Sequence, residues 1–147
     1  MLSTIVFEFA SDDLALPENF SEDSAREWLM KVAKTESRNI SNLLYIFCTD
    51  AFLLEINQRY LNHDTLTDII TFPYKSNPIE AEIYISLDRV FENANIFSMG
   101  HKHQELARVL VHGLLHMCGY SDDSEEEKTK MRAKELHYLK SLFPAVL

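Results

Sequence analysis

The stretch HKHQELARVLVHGLLHMCGY (101–120) decides how this chain is read. At ~100° per residue, Leu106, Leu110, Gly113, Leu114 and Met117 share one broad face. Ala107, Val111, Leu115 and Cys118 carry that apolar surface around the other side. Glu105, Arg108, His112 and His116 are left as a narrow polar stripe, with Val109 at its edge. A helix that is apolar nearly all round is a buried helix. Its two histidines are therefore expected to line a cleft inside the molecule rather than to face bulk water.

Outward from this helix the pattern changes twice. SLDRVFENANIFSMG (86–100) reads as a helix closed by Gly100, a residue suited to the left-handed position after a helix end. SDDSEEEKTKMRAKELHYLKSLF (121–143) is acid-rich early and lysine-bearing late, which suits a helix dipole. Towards the N-terminus, STIVFEFA (3–10), NLLYIFCT (42–49), LTDIITFPY (66–74) and EAEIYISLD (80–88) read as strands. The turn chemistry of KSNP (75–78) joins the last two as a hairpin. FSEDSAREWLMKVAKTES (20–37) and AFLLEINQRYL (51–61) read as helices, with Ser21 and Asp50 as their N-caps. The second puts Phe52, Leu53, Ile56 and Tyr60 on its core side. Strands and helices mix without strict βαβ alternation. The expected fold is α+β, a mixed sheet of about four strands with helices packed on it. Residues 1–147 are expected to form one domain.

Composition narrows the function classes. A hydrophobic share of 46% supports a real core, and only 3 Gly and 4 Pro leave little room for low-complexity linkers. The formal net charge of −9 argues against a generic nucleic-acid binder with a basic face. It leaves room for an enzyme with one local basic groove, whose hold on RNA would be strongly salt-dependent. MLSTIVFEFASDD has no basic region of the kind that opens a signal peptide. No apolar run approaches the ~20 residues that span a bilayer. Cys48 and Cys118 lie far apart in apolar surroundings, so reduced buried thiols and a cytoplasmic location without membrane association are expected.

His112 and His116 stand four apart, which puts both rings on one face at a separation one ion bridges. The metalloprotease helix H-E-x-x-H has that spacing, but Gly113 occupies the place of its glutamate base. Two nitrogens do not hold a catalytic zinc, which takes three protein ligands and keeps one open position. Gly119 turns the chain back, and the first side chains able to fold over the pair are Ser121, Asp122 and Asp123. A carboxylate from Asp122 or Asp123 would complete a His₂Asp site, while Glu125 to Glu127 read as a solvated helix start.

HGLLHMCGYSD (112–122) resembles the H-G-x-L-H-x-x-G-Y-D-H signature of the YbeY-type rRNA maturation factors, which are zinc-dependent bacterial endoribonucleases. NQRYLNHDTLTDIITFPY (57–74) resembles their N-x-x-Y-R-x-x-D-x-x-T-D-V-L-S-F-P, and AEIYIS (81–86) their G-D-I-x-I-S. The three blocks occur in family order and cover the second half of the chain. The resemblance implies a small α+β fold with a catalytic metal, one Zn²⁺ per chain. It also implies single-strand-specific cleavage of RNA, in 16S rRNA 3′-end maturation and ribosome quality control. The implied partners are ribosomal RNA and the small ribosomal subunit or its proteins.

Carried over by position, His112 and His116 are the first two ligands, and the third family histidine falls on Asp122. An aspartate oxygen also binds Zn²⁺, makes the site more anionic and widens the choice of metal towards Mn²⁺ or Fe²⁺. The family's basic residue after the tyrosine falls on Leu61, with Arg59 two positions earlier as the nearest cation and a candidate catalytic residue. Asp68, which matches the family's T-D, is the leading candidate for a base. Arg108 is expected to pair with Glu105 or with the next helix, and His63, His101, His103 and His137 to lie on the surface. Two other classes compete with the nuclease: a metallohydrolase acting on a peptide or small molecule, and a ribosome-assembly factor with a structural metal.

Overall fold

The computed structural model describes residues 3–63 and 65–144. Its elements run β1 (Thr4–Phe9), α1 (Glu22–Thr35), β2 (Ile40–Cys48), α2 (Asp50–Leu61), β3 (Ile69–Ser76), β4 (Ile79–Ser86), α3 (Leu87–Phe97), α4 (Lys102–Met117) and α5 (Glu125–Leu142). The four strands form one mixed sheet in the order β1-β2-β4-β3. β1, β2 and β4 are parallel neighbours, and β3 closes the sheet as an antiparallel edge strand. Parallel neighbours need a crossover, and α1 supplies it between β1 and β2. The expected α+β architecture is the one observed.

The period-two pattern of β4 explains how the sheet is used. Ile79, Ala81, Ile83 and Ile85 are buried, and the intervening Glu80, Glu82 and Tyr84 are partly exposed on the other face. α4 lies against the buried face. A Cβ on Gly113 would meet Ile83 Cδ1 at 3.0 Å and Ile69 Cδ1 at 3.1 Å, so glycine lets the helix sit down on β3 and β4. Tyr45 on β2 is fully buried and donates its hydroxyl to the Leu110 carbonyl at 2.8 Å. α1, α3 and α5 pack around α4, which buries ten of its 16 residues. Each fully buried leucine there contributes about 1.5–3 kcal/mol, so packing rather than helix propensity holds this element. α2 takes the opposite face, against Phe72 and Tyr84.

The boundaries differ from expectation where capping chemistry decides them. Thr49, not Asp50, is the N-cap of α2, accepting from the Phe52 amide at 3.2 Å. Asp50 is engaged elsewhere, with the Ser86 hydroxyl at 2.7 Å and Arg89 at 3.1 Å. Phe52 and Tyr60 on α2 are 40% and 64% exposed, and Asn57 is buried instead, donating to the Thr65 carbonyl. Ser21 caps α1 as expected. α5 begins only at Glu125, capped by Ser124, which leaves Ser121 to Asp123 free of the helix to fold over the end of α4. No helix among the described residues is long and apolar enough to cross a membrane.

Candidate metal centre and its cleft

The end of α4 builds the centre. Cys118 is the C-cap and Gly119 follows at φ +102°, a conformation a side chain would strain. The Tyr120 amide bonds back to the Leu115 carbonyl and the Gly119 amide to the His116 carbonyl, each at 3.1 Å, which is the two-bond closure of a Schellman end. This turn brings the Tyr120 carbonyl back to His116, whose Nδ1 donates to it at 2.9 Å. His112 Nδ1 donates to Glu135 Oε2 on α5 at 2.6 Å. A backbone carbonyl and an ionised carboxylate only accept. With Nδ1 so engaged, each ring leaves Nε2 as the nitrogen that can bind an ion.

Those two Nε2 atoms face each other at 3.0 Å. Asp122 Oδ2 lies 3.5 Å from the first and 3.6 Å from the second. Two imidazole nitrogens and a carboxylate oxygen in such a triangle are a donor set for one cation. Ligand atoms bound tetrahedrally at ~2.0–2.2 Å lie about 3.4 Å apart, so the donor set and its spacing fit a divalent transition metal. The group His112, His116 and Asp122 is also the one cluster of His, Cys, Asp or Glu able to hold an ion among the described residues. Asp123 turns away, accepting from the Ser121 hydroxyl at 3.0 Å.

A layer of buried charge lies behind the histidines. Arg108 meets Glu105 at 2.6 Å, Glu135 at 3.2 Å and Asp68 at 3.8 Å. Glu105 is fully buried and accepts a further bond from Ser98. Burial would raise the Glu135 carboxyl, but the bond from His112 and the charge of Arg108 outweigh it and hold Glu135 below its usual range. Burial raises Asp68 above the usual carboxylate range, and Arg108 and His112 only partly offset it. The two buried carboxylates, Glu105 and Glu135, against one guanidinium leave a negative surplus behind the histidines, which favours a cation in front of them.

The site opens into a cleft of about 640 Å³ between β3 and α4. Asp68, His112, His116 and Asp122 all line it. Arg59 does not. It sits on the other face of the sheet, in a groove with Phe72, Tyr74 and Tyr84, paired with Glu55 at 2.8 Å. The position of Leu61, 43% exposed, is likewise outside the cleft lining. The structure therefore does not bring Arg59 together with His112, His116 and Asp122. Arg108 pairs with Glu105 and α5 as expected. His101 and His103 line a separate groove, where His103 is partly exposed and bonded to the Glu18 carbonyl. Sequence reasoning missed Glu135 as the partner of His112 and Arg38 as a wall of the cleft.

Fold and site together define an α+β protein whose buried helix offers a His₂Asp group at the mouth of a cleft. The family described as Endoribonuclease YbeY matches residues 7–143, and the chain belongs to that family. Among its relatives, an Endoribonuclease YbeY of Flavobacterium psychrophilum is 48% identical over 120 residues, covering 81% of this chain and 85% of the relative. One from Cytophaga hutchinsonii is 50% identical over 112 residues, covering 75% and 78%. A solution structure of a Thermotoga maritima protein superposes with a TM-score of 0.68 at 25% identity, covering 96% of this chain and 90% of that one.

Proposed function

We propose that this chain is a metal-dependent endoribonuclease, with one divalent transition ion, zinc by preference, held by His112, His116 and Asp122. The observation that carries the reading is the triangle of two Nε2 atoms and one carboxylate oxygen, opening onto a cleft. The relatives' shared description as endoribonucleases supports RNA as substrate. An ion bound there would supply Lewis acidity towards a phosphodiester.

The chain's own residues do the rest. Glu135 and the Tyr120 carbonyl fix both imidazoles in the tautomer that leaves Nε2 free. Gly113 removes any base from the helix itself, so the proton acceptor comes from the opposite wall. Asp68 lies there, and its carboxylate takes the proton of the attacking water. The substrate is single-stranded ribosomal RNA of the small subunit, in the cytoplasm, as the family resemblance implies. The test is cleavage of a structured small-subunit rRNA fragment by protein stripped with EDTA and reloaded with Zn²⁺, Mn²⁺ or Fe²⁺. The wild type cuts and His116→Ala does not. Equal cutting by both, or none with any metal, overturns the reading. Unfolding on metal removal, without cleavage when reloaded, would favour a structural metal.

A further inference from the structure

We infer that Arg38 forms a phosphate-binding subsite in the cleft and supplies its fixed positive charge. The inference deepens the endoribonuclease reading and rests on it. Arg38 is the only lysine or arginine among the described residues that lines this cleft, together with Asp68, His112, His116 and Asp122. An RNA strand carries one negative charge per nucleotide, and this chain carries a net −9. The same lining carries two carboxylates, Asp68 and Asp122, so Arg38 is where the cleft can hold a phosphodiester.

The guanidinium is held but not consumed. Nη1 donates to the Ser76 carbonyl at the end of β3, and Nη2 donates to the Cys118 carbonyl at the end of α4, both at 3.1 Å. A guanidinium has five N–H donors, so about three are left for a ligand. No carboxylate pairs with Arg38 among the described residues. Arg26, Arg59, Arg89 and Arg108 each pair with at least one. An arginine with spare donors, pinned at both ends and unneutralised, is pre-organised for a two-pronged phosphate contact. Its anchor at Cys118 immediately precedes the Gly119–Tyr120 turn that positions His116 and leads to Asp122. The subsite and the metal ligands therefore share one rigid frame. A lone brace between two carbonyls would not need a residue with five donors and a permanent charge.

The test is binding of a fluorescent single-stranded 2′-O-methyl RNA, confirmed intact afterwards, to the full zinc-loaded chain across a salt series. Arg38→Gln is expected to weaken binding about tenfold and to flatten the slope of log K against log salt by about 0.7, the value for one phosphate contact on a single strand. Arg38→Lys keeps the charge and is expected to retain the wild-type slope with part of the affinity. Arg132→Gln, an exposed change outside this cleft, is expected to match wild type. Thermal melting of each variant reports its folding. A purely structural brace predicts that Lys and Gln do equal damage with the slope unchanged, and that result overturns the inference. So does wild-type binding by Arg38→Gln, or no RNA binding by the wild type. Failure of unmodified RNA to be cut, with the Arg38 slope change present, would count against the nuclease reading alone.

Discussion

His112 on α4 and Glu135 on α5 are joined by a 2.6 Å hydrogen bond from Nδ1 to Oε2, and Arg108 holds the other oxygen of the same carboxylate at 3.2 Å. The bond fixes the imidazole and raises its basicity towards anything bound at Nε2. Glu135→Gln keeps the shape and removes the charge. Metal affinity is expected to fall about 10–100-fold, read by competition with a chromogenic chelator, while the circular dichroism spectrum stays native. An unchanged affinity would remove Glu135 from the centre.

Asp68 lies across the cleft, 3.8 Å from Arg108 and without a shorter ion pair among the described residues. As the proton acceptor it contributes in the transition state more than in binding. Asp68→Asn is expected to lower kcat about 10²–10⁴-fold, with one metal per chain retained and KM little changed. Loss of the metal in this variant would mean that Asp68 acts on the ligands instead.

Gly113 is set by packing. An added methyl gains about 1 kcal/mol of helix propensity but enters at 3.0–3.1 Å from the tips of Ile83 and Ile69, and overpacking of this kind costs about 1–3 kcal/mol. Gly113→Ala is expected to be net destabilising by about 1 kcal/mol in urea denaturation. Ile83→Val removes one of the obstructing Cδ1 atoms and should recover part of the loss in the double variant. Additive losses would show that the contact is not the cause.

Glu36 ties α1 to the metal loop and to α5. It accepts from the hydroxyls of Tyr120 at 2.8 Å and Tyr138, and from Lys134 at 3.1 Å. Burial opposes its ionisation, but the Tyr138, Tyr120 and Lys134 contacts prevail and hold its pKa below the ordinary 4.5. Folding therefore favours the carboxylate. The stability it adds is complete above the unfolded pKa and is lost as pH falls through the lower folded value. Glu36→Gln is expected to cost about 1–3 kcal/mol at neutral pH. The gap from wild type should narrow below about pH 4.5. A gap that widens on acidification would reverse the sign of this linkage.

What the sequence revealed follows the range of each interaction. The buried character of α4 and the pairing of His112 with His116 are local, and a helical period exposes them at once. Asp122 was local too, but spacing left it level with Asp123 until the family pattern distinguished them. Only the structure turns Asp123 to Ser121 instead. Glu135 was hidden because α5 is charged along most of its length, and one buried glutamate there has no signature. Arg38 contacts Cys118 across 80 residues, a relationship no window on the chain contains. Arg59 stands two positions before Leu61, and that offset already puts it on a different helical face. Its i,i+4 pairing with Glu55 was legible, and it draws the side chain to the far face.

The central claim is that His112, His116 and Asp122 hold one divalent ion. The direct measurement is metal stoichiometry and affinity by titration of stripped protein with Zn²⁺, Mn²⁺ and Fe²⁺, compared across wild type, His116→Ala, Asp122→Ala and Asp123→Ala. The account predicts one tightly held ion per chain in wild type and Asp123→Ala, and loss of most of the affinity in the other two. Equal binding by Asp122→Ala and wild type, or no binding of any of the three metals by the wild type, would contradict it.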